Sequence, residues 1–248
     1  MAATDDLSVL TRPARAPDEV VAYGSDPDQI ADVRFGADGA SSRPLVFIVH
    51  GGFWRPQYDR AHTGPMAEAI AAAGWTTVTI EYRRQPGHPN VTFRDVSDAF
   101  EKLPAKIPQH NGKVVLMGHS AGGHLALWLS VARRTPQLVG TIALAPAADL
   151  QLAHELNLGE GAVALFLGAN PKTRPDMDPR QMASPQVPTV IIHGEKDVVV
   201  RIAVAESYVN AHRAVRLVRL VSVGHFAVID PLSAVWPTVM GELRKLSG

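Results

Sequence analysis

Three residues far apart in this sequence have the types and settings needed to transfer an acyl group. Ser120 sits in Gly118-His119-Ser120-Ala121-Gly122, a match to G-x-S-x-G, the turn that presents a serine at the tip of a strand. Its hydroxyl is a poor nucleophile at neutral pH, so it needs an imidazole to take the proton and a carboxylate to fix that imidazole's tautomer. Such a serine is served, in chain order, by an Asp or Glu and then a His, each beyond the C-terminal end of its own strand. Downstream of Ser120 the histidines are His124, His154, His193, His212 and His225. His124 falls on the helix that follows the serine, His154 in an irregular stretch, His193 at a strand end ahead of the acid, and His212 at a helix end. His225, in Gly224-His225-Phe226 just after an expected strand, is the expected base. Asp197, a few residues past an apolar run that breaks at Gly194, is the expected acid, with Glu195 as the alternative; Asp230, beside Pro231, reads as a helix N-cap.

A tetrahedral oxyanion needs preorganised N–H donors. The amide of Ala121 is one, and the glycine-rich stretch His50-Gly51-Gly52-Phe53-Trp54 is the expected source of the others. Gly52 and Phe53 are the expected donors there, with Gly51 in place of Phe53 left open. Trp54, Phe166 and Phe226 are candidates to line an apolar substrate pocket, although aromatic side chains serve equally as core.

The elements that must position these groups alternate between strand and helix. Short apolar runs at 45–49, 114–117, 138–144 and 189–192 predict buried strands, 76–80 and 215–221 predict further strands, and 29–35 predicts an early antiparallel strand. Helices are expected at 62–73, 91–103, 121–134, 202–212 and 231–246. The alternation predicts a mostly parallel central sheet flanked by helices on both faces. Residues 1–22, with Pro13, Pro17 and no periodicity, read as a flexible arm, and 23–248 as a single domain. Within it 147–186 is the least regular stretch and is expected to be a lid-like, substrate-binding insertion.

Composition narrows the partners. The 248 residues are 46% hydrophobic, enough for a sizeable core, and 24 basic residues balance 24 acidic ones. No bulk field draws such a chain to nucleic acid or to an anionic membrane, so a small-molecule ester or amide is the expected partner. There is no cysteine, which excludes disulfides and thiolate chemistry. The first residues lack a signal-like apolar core and no run approaches 18 apolar residues, so the cytoplasm is the expected compartment. His50, His119, His124 and His193 show no spacing of the H-E-x-x-H type, so neither metal nor cofactor is expected. Oligomeric state is left open, a homodimer included. A competing reading, a non-catalytic hydrolase-like protein that binds a small molecule in the same cleft, calls for a damaged triad, whereas all three residue types are present.

With those residues in view, the chain resembles the α/β-hydrolase superfamily from Tyr23 onward. His50-Gly51-Gly52-Phe53-Trp54 followed by Gly118-His119-Ser120-Ala121-Gly122-Gly123-His124-Leu125 is similar to the H-G-G-x-W branch that contains the serine-hydrolase kynurenine formamidases, or arylformamidases. Hormone-sensitive-lipase-like esterases are close relatives, and their Asp-Tyr-Arg-Leu-Ala-Pro-Glu-His-Pro signature looks like the degenerate Glu81-Tyr82-Arg83-Arg84-Gln85-Pro86-Gly87-His88-Pro89 here. Phe53 stands where those esterases have a third glycine, and His119 where they have an acid. The resemblance implies a serine hydrolase, a carboxylesterase (EC 3.1.1) or an arylformamidase (EC 3.5.1), acting through an acyl-enzyme.

Overall fold

Apolar runs with strict two-residue alternation of facing bury both sides of a strand only if helices cover both sides of the sheet. The computed structural model, which describes residues 7–133 and 135–248, has that arrangement. Its strands are β1 (Glu19–Ala22), β2 (Ile30–Arg34), β3 (Leu45–Val49), β4 (Thr77–Ile80), β5 (Val114–His119), β6 (Leu138–Leu144), β7 (Thr189–Gly194) and β8 (Arg216–Leu220). They form one sheet in the order β1-β2-β4-β3-β5-β6-β7-β8. The β1–β2 and β2–β4 pairs are antiparallel and the rest parallel. The helices are α1 (Gly64–Ala72), α2 (Pro89–Lys102), α3 (Ala121–Ala132), α4 (Leu150–Glu155), α5 (Ala162–Leu167), α6 (Ile202–Ala211) and α7 (Trp236–Ser247).

The pleat sorts the central strands into two cores. Leu45, Phe47 and Val49 of β3, with Val114 and Leu116 of β5, pack with Phe93, Val96 and Phe100 of α2 and Leu125 and Leu129 of α3. Val46, Ile48, Val115 and Met117 face the other way, onto Met66 and Ile70 of α1 and Val239 and Leu243 of α7. Each such aliphatic side chain contributes roughly 1.5–3 kcal/mol when fully buried, so β3 and β5, buried at every residue, are the rigid centre of the sheet. Among the described residues no helix is long and apolar enough to cross a membrane.

Two segments differ from, or add to, what the sequence predicts. Residues 1–6 of the expected flexible arm lie outside the described residues, but 7–22 are tied down. Val9 is fully buried, β1 pairs along β2, and Arg12 forms an ion pair with Asp230. β1 escapes a pattern-based reading because it has four residues and exposes most of them. The stretch 147–186 holds two short helices and three 3-10 turns, and its Leu150, Ala153, Val163, Phe166, Leu167 and Met177 join the first core. It is pinned to α3 by His124 Nε2–H donating to the Met177 carbonyl at 2.8 Å and Trp128 Nε1–H donating to Asp176 O at 3.0 Å.

The same segment contains a buried carboxyl in an unfavourable setting. Asp178 Oδ1 accepts from the amides of Leu150 and Arg180, both at 3.2 Å, while Oδ2 is buried without a partner. Burial, against those amide hydrogen bonds and with Asp149 nearby, pushes the Asp178 carboxyl up to about 6. Its folded value lies above the unfolded one, so the folded state binds the extra proton between about pH 4 and pH 6, and stability falls as pH rises through that window. Asp178→Asn keeps the amide acceptor without the charge. It is expected to unfold at higher urea than the parent above pH 6, by up to about 2–3 kcal/mol, with the difference vanishing near pH 4.

Candidate active site

Ser120 ends a strand and begins a helix within one residue, and the turn closes only where side chains are missing. A Cβ on Gly118 would lie 2.2 Å from the Gly122 carbonyl oxygen, and one on Gly122 would lie 2.1 Å from Val49 O. Ser120 itself takes φ 56°, ψ −120°, and its side chain makes no helix-capping hydrogen bond. Its amide donates to Leu144 O at 2.9 Å, while its carbonyl accepts from His124 N at 3.1 Å and Ala147 N at 3.2 Å. β6, α3 and the start of the 147–186 segment therefore fix the strained residue together.

Asp197 and His225 come from the ends of β7 and β8 and meet as the sequence order requires. His225 Nδ1–H donates to Asp197 Oδ2 at 2.6 Å, which leaves Nε2 as the acceptor. Asp197 Oδ1 accepts from the amides of Val199 at 2.9 Å and Val200 at 2.8 Å. His193 Nε2–H donates to Val200 O at 2.8 Å and also lies 3.2 Å from Asp197 Oδ2. Burial raises the Asp197 carboxyl, but the hydrogen bonds from His193 and His225 outweigh it and hold the group well below the usual carboxylate range. Glu195, the alternative acid, is exposed. The two loops are laced by Lys196 N–H donating to Val223 O and Glu195 N–H donating to Leu220 O, both at 2.9 Å. Against the far side of His225 lies the His119 ring, with centroids 4.6 Å apart, and His119 Nε2–H donates to His225 O at 3.1 Å. Burial, then the proximity of His225, keeps His119 well below the ordinary histidine value and so neutral.

The glycine-rich loop presses on the serine from β3. A Cβ on Gly51 would lie 2.8 Å from His119 O and 3.0 Å from the Ser120 Cβ. Gly52, Phe53 and Trp54 all have positive φ (109°, 53° and 54°), a bend that needs external support. Glu81, just past β4, supplies it. Glu81 Oε1 accepts from His50 Nε2–H at 3.0 Å, from Tyr82 N–H at 3.1 Å and from the Arg84 guanidinium, and Oε2 accepts from Arg60 N–H at 3.0 Å. Tyr82 Oη–H donates to His50 O at 2.8 Å, its ring stacked on the imidazole at 4.5 Å. Burial raises Glu81, but the hydrogen bond from His50 and the charge of Arg84 bring it well below the usual range. The degenerate signature at 81–84 was the visible signal for this brace; nothing in it says that Glu81 is the hub.

Ser120, His225, His119, Gly52, Phe53 and Phe226 line one cavity of about 400 Å³. Leu10, Thr11, Gln57, Tyr58, Asp59, Ala61, His62 and Val199 complete it, on loops and on the 3-10 turns at Ser8–Leu10 and Arg60–Thr63. Ala121 is the first residue of α3, next to the serine. The aromatic expectations divide. Phe226 lines the cavity, but Trp54 and Phe166 stack on each other at 4.8 Å and 11°, at 3% and 2% exposure, within the core behind it. His124 and Phe93 surround that stack, so it fills space as core and does not form the pocket wall expected of it. Among the described residues no group of three or more His, Cys, Asp or Glu is arranged to hold a metal ion.

A mostly parallel eight-stranded sheet with a serine on a tight strand-to-helix turn, and an acid and a histidine past later strands, defines an α/β-hydrolase fold. Residues 31–211 match the BD-FAE family, and the chain belongs to it. It is 28% identical over 222 residues to esterase LipC of Mycobacterium tuberculosis, covering 79% of this chain and 55% of LipC. It is 30% identical over 138 residues to the kynurenine formamidase of Salmo salar, covering 52% of this chain and 46% of that protein. The chain thus spans about half the length of these two relatives. Esterase B from Lactobacillus rhamnosis superposes with a TM-score of 0.78 at 19% identity, over 96% of this chain and 88% of that one. A truncated carbohydrate esterase from gut microbiota does so at 0.78 and 17%, over 94% and 98%.

Because Glu81 and Arg84 are both buried, removing one partner strands the other's charge. Glu81→Ala is expected to lower unfolding free energy by about 3–5 kcal/mol in urea titrations. Replacing both, Glu81→Met with Arg84→Met, is expected to recover only the part due to the stranded Arg84 charge, since the His50, Tyr82 and Arg60 donors still lose their acceptor.

Proposed function

We propose that this protein is a serine hydrolase that cleaves small carboxylic esters through an acyl-enzyme, with Ser120 as nucleophile, His225 as general base and acid, and Asp197 as its orienting carboxylate. The observation that carries the reading is the 2.6 Å hydrogen bond from His225 Nδ1 to an ionised Asp197, with Ser120 on a strained turn in the same cavity. His225 Nε2 takes the hydroxyl proton as Ser120 Oγ bonds to the ester carbonyl carbon. The resulting oxyanion accepts from the amide of Ala121 and from those of Gly52 and Phe53. Collapse of the adduct breaks the bond to the leaving oxygen, which receives the proton from His225. Water, deprotonated in turn by His225, attacks the acyl carbon and releases the acid and free Ser120.

A second reading, hydrolysis of an aryl-formamide, is supported by the 30% identity to a kynurenine formamidase and uses the same steps with a nitrogen leaving atom. Turnover of p-nitrophenyl butyrate and of N-formylkynurenine by one preparation separates the two. A fluorophosphonate probe should label Ser120 and fail on Ser120→Ala; failure to label the parent chain would leave the non-catalytic binder as the better reading. Asp197→Asn keeps the shape but loses the charge and permits the wrong tautomer, so kcat is expected to drop about 10³–10⁴-fold with little change in KM.

A further inference from the structure

One wall of the cavity is built from chain that precedes the sheet. Leu10 and Thr11 line the space beside Ser120 and His225. They are held from below by Val9, which is fully buried in the core shared by α1 and α7. Leu10 packs on that same core together with Phe226, the residue after His225. The wall is also clasped to the loop that carries the histidine. The Arg12 guanidinium grips both carboxylate oxygens of Asp230, one of them at 3.0 Å, and donates to Ser8 Oγ at 3.0 Å. Further along, Arg15 N–H donates to Glu68 Oε2 at 3.0 Å and the Arg15 carbonyl accepts from Arg34 at 2.6 Å. The segment is therefore fixed on both sides of Arg12, and it lies ahead of the 31–211 stretch shared with the family.

The lining thus divides by origin. Gly52, Phe53, Gln57 and Tyr58 belong to the chain that follows β3, where Tyr58 lies so close to Gly52 that a Cβ there would meet its side chain at 2.4 Å. Leu10, Thr11 and Phe226 belong with the His225 loop. In acyl transfer the imidazole hands its proton to the departing atom, so the leaving group must sit on the imidazole's side of the scissile carbonyl. Leu10 and Phe226 make this side apolar, the Thr11 hydroxyl and the neutral His119 imidazole being the polar groups beside His225, and the nearby Arg12 charge is matched by Asp230.

We propose that Leu10, with Thr11 and Phe226, forms the subsite for the leaving alcohol, and that Leu10 sets how large an uncharged, apolar or aromatic alcohol is released. This rests on the esterase reading above. Leu10 is a specificity-determining residue here and takes no part in proton transfer.

Two ester series test it: butyrates of methanol, butanol, phenol and 1-naphthol, and phenyl esters from acetate to octanoate. Leu10→Ala and Leu10→Trp are compared with the parent chain as ratios of kcat/KM within each series, which do not depend on the folded fraction of a preparation. One or two methylenes of room in an apolar pocket change discrimination about 10–200-fold. Leu10→Ala should therefore raise the naphthyl-to-methyl ratio at least about tenfold and Leu10→Trp should lower it similarly, with the acyl-length ratios moving less than about twofold. A shift confined to the acyl series, or no shift in either, overturns the assignment while leaving the esterase reading intact. Loss of fluorophosphonate labelling together with no turnover of either series in the parent chain sinks the esterase reading, and the subsite with it.

Discussion

A serine at φ 56° costs on the order of 1–3 kcal/mol, and the fold holds Ser120 there by engaging both of its peptide groups. Its amide belongs to β6 and its carbonyl to the first turn of α3 and to Ala147, so relaxing the turn would break contacts in three directions. Close approach of backbone to backbone around Gly118 and Gly122 completes the restraint. Because β5 is buried at every residue, the serine cannot move to meet its partners. The loops past β3, β7 and β8 must come to it, and each is secured by hydrogen bonds to its neighbours rather than by regular structure.

Buried carboxylates do that securing, and their settings differ in an instructive way. Asp197 and Glu81 are each surrounded by donors, so the ionised form is favoured despite burial. Asp178 has two amides on one oxygen, nothing on the other and a second carboxylate nearby, so desolvation wins. The first two fix a histidine of the site, His225 and His50 respectively. The third fastens the 147–186 segment to its own backbone and lies outside the cavity lining.

Much of the frame was legible in the sequence for one physical reason: strands buried on both faces are continuous apolar runs. The strands at 45–49 and 138–144 therefore read to the residue. Chain order leaves few partners for Ser120; the structure shows the Asp197–His225 hydrogen bond and places Ser120 and His225 on one cavity. Features without a periodic or positional signature were not legible. β1 is too short and too exposed to alternate visibly, and Leu10 lines the cavity that holds Ser120 next to a Val9 whose burial has no local sequence signature. Trp54 and Phe166 carry the composition of a pocket and the packing of a core, a distinction that depends on distances between segments that sequence does not encode locally.

The Glu81 hub has a consequence for how such a protein can diversify. One of its oxygens is tied to the imidazole of His50 and the other to the main chain at Arg60, so a single carboxylate brackets both ends of the stretch from 50 to 60. Within those brackets Gln57 and Tyr58 are exposed and carry none of the ties to Glu81. Exchange at Gln57 should then be tolerated by lineage or laboratory alike, provided the two feet and the packing of Tyr58 on Gly52 stay in place. The same staple that stiffens the bend at Gly52 to Trp54 leaves a short arch over the cleft.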